Sequence, residues 1–212
     1  MTDQKRPYRK KQRAELEAQT RRRITESTVE LHRTLGPAHT SISAVAEHAG
    51  VRRSTVYRHF PDEAALFSAC TAHWTSSNRP PDLTAWSAIE DPDERLQSAL
   101  EQLYAYYRRT EQMLANLHRD EATMPTVKRL FGGFHDYISA ARETLMDGRR
   151  TRGHGRRRLR AAIGHALAFA TWRSLAREQG LDDPQAADLM CRLAAAAAAA
   201  RGRPASAQPT PK

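Results

Sequence analysis

Residues Thr40–Leu66 read TSISAVAEHAGVRRSTVYRHFPDEAAL. Thr40 suits the N-cap of a short helix over about 41–49. Ala46 is small where two helices must cross closely, and Gly50 follows where the chain must turn sharply and a positive φ costs only glycine nothing. Val51 and Val56 supply apolar contacts that fix a second helix, about 53–59, with Val45 and Ala49 on the facing side. Ala46, Gly50 and Val56 are spaced as a helix-turn-helix requires. The second helix is the reader: Arg52, Arg53, Ser54, Thr55, Tyr57 and Arg58 make its outer face polar and cationic, suited to phosphates and base edges.

Charge points the same way. The chain has 212 residues and a net charge of +10, unevenly placed. Residues 1–60 hold thirteen Lys/Arg against six Asp/Glu, and residues 149–160 hold seven Arg and no acid. The remainder is mildly acidic. A basic N-terminal region is the electrostatic footprint of a nucleic-acid binder. The arginine-rich 149–160 stretch is as consistent with a solvated loop as with a contact surface. With 40% hydrophobic and 27% charged residues the composition is that of a soluble globular protein. No apolar run is long enough for a membrane helix, and the polar N-terminus lacks the apolar core of a secretory signal, so a cytoplasmic location is expected. Cys70 and Cys191 have no metal-type spacing, and neither a metal nor another cofactor is expected.

Away from this stretch almost every segment reads as helix, giving an all-α chain of about nine helices. Residues 1–12 read as a flexible basic arm. A helix follows from Arg13 to Thr34, with Leu16, Ile24, Leu31 and Leu35 on one face and Gly36-Pro37 as its stop. A fourth helix covers about 62–78. Asp91 caps a helix rich in Leu96, Leu100, Leu103 and Tyr107, and separate helices are expected over 111–122 and 125–147. Gly132-Gly133 signals a kink or a close contact. A Gly/Arg loop over 147–155 precedes a long helix over 156–179, ended by Gly180, and Asp183 caps a last helix running to about Arg201. These elements divide into a DNA-binding domain over 13–61, a ligand-binding and dimerisation domain over 62–201, and a disordered tail over 202–212.

The Thr40, Ala49-Gly50-Val51 and Tyr57-Arg58-His59-Phe60 series, followed by Pro61-Asp62, resembles the DNA-binding domain of the TetR family of transcriptional regulators. The resemblance implies phosphate contacts from Thr40 and Tyr57. It places Arg52, Arg53, Ser54, Thr55 and Arg58 toward the major groove and His59 near the backbone. Two positions depart from the family pattern: Arg52 replaces a capping Ser or Thr, and Glu63 replaces a Lys that would touch phosphate. Arg6, Arg9, Lys10, Lys11 and Arg13 can compensate by neutralising phosphates nearby. Thr171–Leu175, Gly180–Asp183 and Ala186–Met190 resemble, less specifically, a C-terminal regulatory domain of many members.

The resemblance implies a homodimeric repressor that binds double-stranded DNA at a pseudo-palindromic operator and is released by a small molecule. A small-residue ridge of Ala162, Ala166, Ala170 and Ser174, with Leu189, Leu193 and Ala197 on the last helix, suits a four-helix dimer interface. Trp86, Tyr104, Tyr107, Leu117, Phe134, Phe169 and Trp172, with His118 and His165 as polar groups, are candidates for an apolar or aromatic ligand pocket. The fourth helix is the natural lever between pocket and reader. Two other classes fit the sequence: a helical-bundle metal-dependent enzyme using the His118-x-x-Glu121 pair, and a nonspecific DNA-coating protein.

Overall fold

The computed structural model describes residues 5–199, so the expected 202–212 tail and the first four residues of the arm lie outside the described residues. Among the described residues every regular element is helical. Two compact units form. One is the chain up to Arg79 together with Thr110–Phe134, and the other is Pro80–Arg109 together with the chain from His135 onward. Compactness therefore groups the fourth helix with the first three, whereas the sequence reading begins a new domain at residue 62.

In the first unit α1 runs Lys5–Thr34, eight residues earlier than Arg13. The cause is composition: Lys, Arg, Gln, Glu and Ala are good helix formers, and Pro7 falls in the first turn, where its missing N–H is no loss. Only the second half of α1 is buried, through Ile24, Thr25, Ser27, Thr28 and His32. Leu16 and Leu35 of the expected apolar face are exposed. Gly36 ends the helix at φ 95, and a 3₁₀ turn, Pro37–His39, follows. Then come α2 (Ile42–His48), α3 (Arg53–His59) and α4 (Glu63–Ser77). Ile24, Ile42, Val45, Ala46, Val56, Phe60 and Leu66 form their common core. On α4, Phe67 meets the His32 ring edge-on at 4.6 Å and the Cys70 thiol lies 3.5 Å from His32 Nδ1. Burial pushes that thiol up to about 12, and at 3% exposure Cys70 packs as a small apolar group.

In the second unit α5 (Leu83–Ser87), unforeseen from sequence, is capped by Asp82 and buries Trp86. The next helix, α6 (Pro92–Asp120), is one element where two were expected, and it supplies its last third to the first unit. Its start is capped as expected: Asp91 Oδ1 accepts from the N–H groups of Asp93 and Glu94 at 2.7 and 3.0 Å. Then α7 (Pro125–Met146) runs unbroken through Gly132-Gly133, and no atom lies within 4 Å of where either would carry a Cβ. No close contact accounts for the pair.

The expected 156–179 helix is broken. In its place stand α8 (Gly153–Ala166), α9 (Phe169–Arg173) and a π-helical turn, Ser174–Glu178. Ala168 is extended between the first two. The carbonyls freed there are met from α6: Tyr104 Oη donates to Ala166 O at 2.9 Å and Tyr107 Oη to Leu167 O at 2.6 Å. The last helix, α10 (Asp183–Ala199), packs along α8. Its cap is Asp182, not Asp183. Asp182 Oδ1 accepts from Gln185 N at 2.8 Å, and the Gln185 side chain returns to Asp182 N at 3.1 Å. Asp183 is engaged elsewhere, by Arg108 at 2.7 and 2.8 Å and by Trp172 Nε1 at 2.9 Å.

Two measurements test these packing arguments. Tyr107→Phe leaves the Leu167 carbonyl buried without a donor, so urea denaturation is expected to show a loss of about 1–3 kcal/mol. An unchanged midpoint would mean that the break needs no hydroxyl. His32 is held at about 4, mainly because burial disfavours the imidazolium, with the Asp120 charge partly offsetting this. The folded state therefore binds fewer protons than the unfolded chain as pH falls below the ordinary imidazole value. Stability is expected to drop by about 2 kcal/mol between pH 7 and pH 5 from this group. His32→Leu should remove that part of the pH dependence, and a parallel slope in parent and variant would refute the assignment.

Candidate nucleic-acid interface

The turn between α2 and α3 is built from backbone bonds. Gly50 sits at φ 61 with nothing within 4 Å of a would-be Cβ, so glycine is needed there for conformation and not for space. Gly50 N donates to Glu47 O at 3.0 Å and Val51 N reaches back to Ala46 O at 2.9 Å. These are the two bonds of a Schellman C-cap, and Val51 closes it by packing on the core. The expected cap of α2 shifts by one residue. Ser41 Oγ accepts from Ala44 N at 3.1 Å, while Thr40 Oγ1 donates to Gly36 O at 2.8 Å.

Beyond the turn, α3 buries Val56 and exposes Arg52, Arg53, Ser54, Tyr57 and Arg58, with Thr55 and His59 half-buried. Arg52 holds the N-cap position and makes no side-chain cap bond, as its replacement of Ser or Thr implies. Asp62 caps α4 instead, accepting from Ala65 N at 2.7 Å, and Glu63 sits in that helix's first turn. The Tyr57 hydroxyl makes no hydrogen bond among the described residues and can donate outward. The Thr40 hydroxyl has spent its one proton on Gly36 O, so contact with a phosphate requires it to rotate away.

Sequence reasoning missed Arg21. Its guanidinium donates to the His59 carbonyl and lies 4.1 Å over the Phe60 ring, which pins the end of α3 to α1. Burial, then the charges of Arg58 and Arg21, lower the His59 pKa. Charge on His59 is thus disfavoured beside the cationic face. Lys10, Lys11 and Arg13 are exposed on α1, with Arg13 paired to Glu17 at 3.1 Å.

The candidate ligand residues fall into two sets. Tyr104, Tyr107, Phe169 and Trp172 converge in the second unit. The Tyr107 ring lies 6.3 Å from Tyr104, 5.4 Å from Phe169 and 5.8 Å from Trp172. Trp86 Nε1 donates to Gln102 Oε1 of α6 at 3.2 Å, and its ring lies 6.5 Å from Tyr137. His165 is exposed and meets Thr171 Oγ1 at 3.2 Å. In the first unit His118 contacts Phe131, which stacks on Phe134, and Leu117 is half-buried beside them in sequence. His118 Nδ1 also lies 3.1 Å from Glu121, but among the described residues no three potential metal ligands converge. A surface cleft of about 440 Å³ is lined by Arg108, Ala176 and the Gly180–Pro184 turn, and none of the candidate ligand residues lines it.

Residues 24–70 match the family model described as bacterial regulatory proteins, tetR family. No curated protein matches the chain. Among solved structures, a TetR-like transcriptional regulator from Rhodococcus sp. RHA1 is similar at a TM-score of 0.62 and 19% identity, covering 86% of this chain and 97% of that one. A TetR-family regulator from Mesorhizobium loti gives 0.59 and 18%, covering 85% and 96%. A Clostridium perfringens protein described as a fatty acid metabolism regulator gives 0.59 and 16%, covering 81% and 96%. At these identities the likeness is one of fold.

Restoring the missing cap separates the two roles of Arg52. Arg52→Ser is expected to raise stability by about 1 kcal/mol, seen as a higher melting temperature. Its affinity for duplex DNA should fall, and its preference among sequences should relax by about 1–3 kcal/mol for the lost base contact. Unchanged DNA binding would remove Arg52 from the interface.

Proposed function

We propose that this chain, a tetR-family regulator by its DNA-binding domain, is a homodimeric repressor of a pseudo-palindromic operator and is released by a small apolar or aromatic molecule. It is no enzyme in this reading, works in the cytoplasm, and uses no cofactor. One observation carries the reading: the outer face of α3 is wholly polar and cationic, and the buried Val56 on its inner face fixes how that face is presented. Arg52, Arg53, Ser54, Thr55 and Arg58 read the groove, and Thr40, Tyr57 and His59 sit at the backbone. Among the described residues no helix is long and apolar enough to cross a membrane.

One helix-turn-helix covers a half-site, so two must be held at fixed spacing. The exposed face of α10 supports this. Leu189 and Leu193 are 37% and 50% exposed, one turn apart, with exposed Ala196 on the same side. The α8 part of the expected ridge is less suited. Its run is broken at Leu167, and Ala166 is buried within the chain. The inducer reading rests on the Tyr104, Tyr107, Phe169 and Trp172 cluster, which closes over the α8–α9 break. A ligand there must bind one state of the dimer better than the other, since equal affinity shifts nothing. Both α4, packed on α1, and the shared helix α6 offer a route to the reader. The C-terminal part of α6 grips the end of α1: Asn116 Nδ2 donates to His32 O and Arg33 O at 3.0 and 2.8 Å, and Asp120 accepts from Ala38 N at 2.9 Å.

Selection of genomic fragments by the purified chain tests the reading. A shared palindromic site is expected, lost in the Thr55→Ala/Tyr57→Ala double variant. Leu193→Asp should give a monomer by light scattering and weaken operator binding steeply while leaving the fold intact. Equal enrichment of all fragments would favour a nonspecific coat, and a parent chain that is monomeric would refute the dimer.

A further inference from the structure

The seven arginines of residues 149–160 are not one population. Three are used inside the second unit. Arg149 bonds Leu145 O at 2.9 Å and pairs with Asp93 at 2.7 Å. Arg158 donates to Ala197 O at 3.2 Å, and Arg160 pairs with Glu143. The other four, Arg150, Arg152, Arg156 and Arg157, are exposed and have no carboxylate partner among the described residues. Among the described residues the side-chain hydrogen bonding of this group is confined to Arg157, which meets the His154 ring at 2.9 Å.

No stability argument explains this placement. Four cations within two turns repel one another, and the start of a helix is the wrong end for positive charge. Ser41, Asp62, Asp82, Asp91 and Asp182 cap five other helices with a side-chain bond. Arg stands at the N-cap of an α-helix without any such bond at two starts among the described residues, Arg52 of α3 and Arg152 of α8, and Arg173 does the same before the π-helical turn. The first of these opens the DNA-reading helix. The surroundings also discriminate between partners. A protein partner needs apolar or aromatic anchors at the centre of its interface. Among the described residues the exposed large hydrophobic ones are Tyr8, Leu16, Leu35, Tyr57, Leu189 and Leu193, and none belongs to the 147–160 segment. Duplex DNA asks for cations alone, because phosphate neutralisation is sufficient for affinity.

We propose that Arg150, Arg152, Arg156 and Arg157 form a second DNA-contact surface, which holds the sugar–phosphate backbone without reading sequence. It is separate from α3 and goes beyond the operator reading. The occupant is double-stranded DNA, held by its phosphates alone.

The test uses the full chain and a random-sequence duplex several helical turns long, with affinity followed by fluorescence anisotropy across a salt series. The four arginines are changed together to Gln and, separately, to Lys. Each set is made both in the parent and with Arg52→Ala, Arg53→Ala and Arg58→Ala. The Gln set is expected to lower the salt slope by about 3 and the affinity by about tenfold or more in both backgrounds, and the Lys set to retain both. Energy transfer between two differently labelled duplexes marks a second duplex, and its absence marks flanking DNA. Equal binding by parent and Gln set in both backgrounds, with folding verified by circular dichroism, overturns the proposal. So does polyglutamate that competes as well as DNA at equal charge, which would assign the surface to an acidic protein. Loss on changing the α3 arginines but not these four would leave the operator reading standing alone.

Discussion

Where a helix ends, its last carbonyls lose their partners, and each one buried away from water must find a donor or cost about 1–3 kcal/mol. In this chain one helix answers most of that demand. Side chains of α6 reach the carbonyls of three other helix ends. Asn116 and Arg119 meet His32 O, Arg33 O and Leu35 O at the end of α1. Tyr104 and Tyr107 meet Ala166 O and Leu167 O at the end of α8. Arg95, only 5% exposed, donates to Ile89 O, Thr144 O and Asp147 O, and so closes both the loop before α6 and the end of α7. A buried guanidinium without a carboxylate is tolerable because carbonyl dipoles surround it. Gly36 belongs to the same device: a Cβ there would stand 2.0 Å from the Arg119 guanidinium and 2.7 Å from the Asp120 carboxylate.

This constraint explains which elements were legible in the sequence. The helix-turn-helix is decided by contacts within about twenty residues, so Ala46, Gly50, Val51 and Val56 carried it. Nothing in Leu167-Ala168-Phe169 announces the end of α8, because the donors that stabilise the break lie some sixty residues earlier. Arg108-Arg109-Thr110-Glu111 puts a polar stretch in the middle of α6. Yet Leu103, Tyr107, Thr110 and Leu114 are all buried at helical spacing, and the polar identity of Thr110 hid the period.

The caps teach the same lesson at shorter range. Thr40 and Ser41, like Asp182 and Asp183, are adjacent residues equally able to cap. Local propensity does not choose between them. Gly36 O takes the Thr40 hydroxyl, and Arg108 with Trp172 takes the Asp183 carboxylate, so the neighbour is left to cap in each case. For the candidate site, the exposed cations of α3 followed from the pattern, but Arg21 did not, because its bond to the His59 carbonyl spans thirty-eight positions.

The placement of charge then separates what holds the fold from what faces outward. Arg21, Arg95, Arg108, Arg149 and Arg160 each have a carbonyl or carboxylate partner and serve packing. Among the described residues Arg52, Arg53 and Arg58 have no such partner, and Arg52 and Arg53 lie at an uncapped helix start, where positive charge costs stability instead of adding it. A surface cation that stabilises nothing in its own chain keeps its full charge for a partner, and desolvating it there is repaid only by an anion. Such a division lets the interface be altered one arginine at a time without disturbing the core beneath it, because Val56 and Phe60, each 1% exposed, hold α3 through its opposite face.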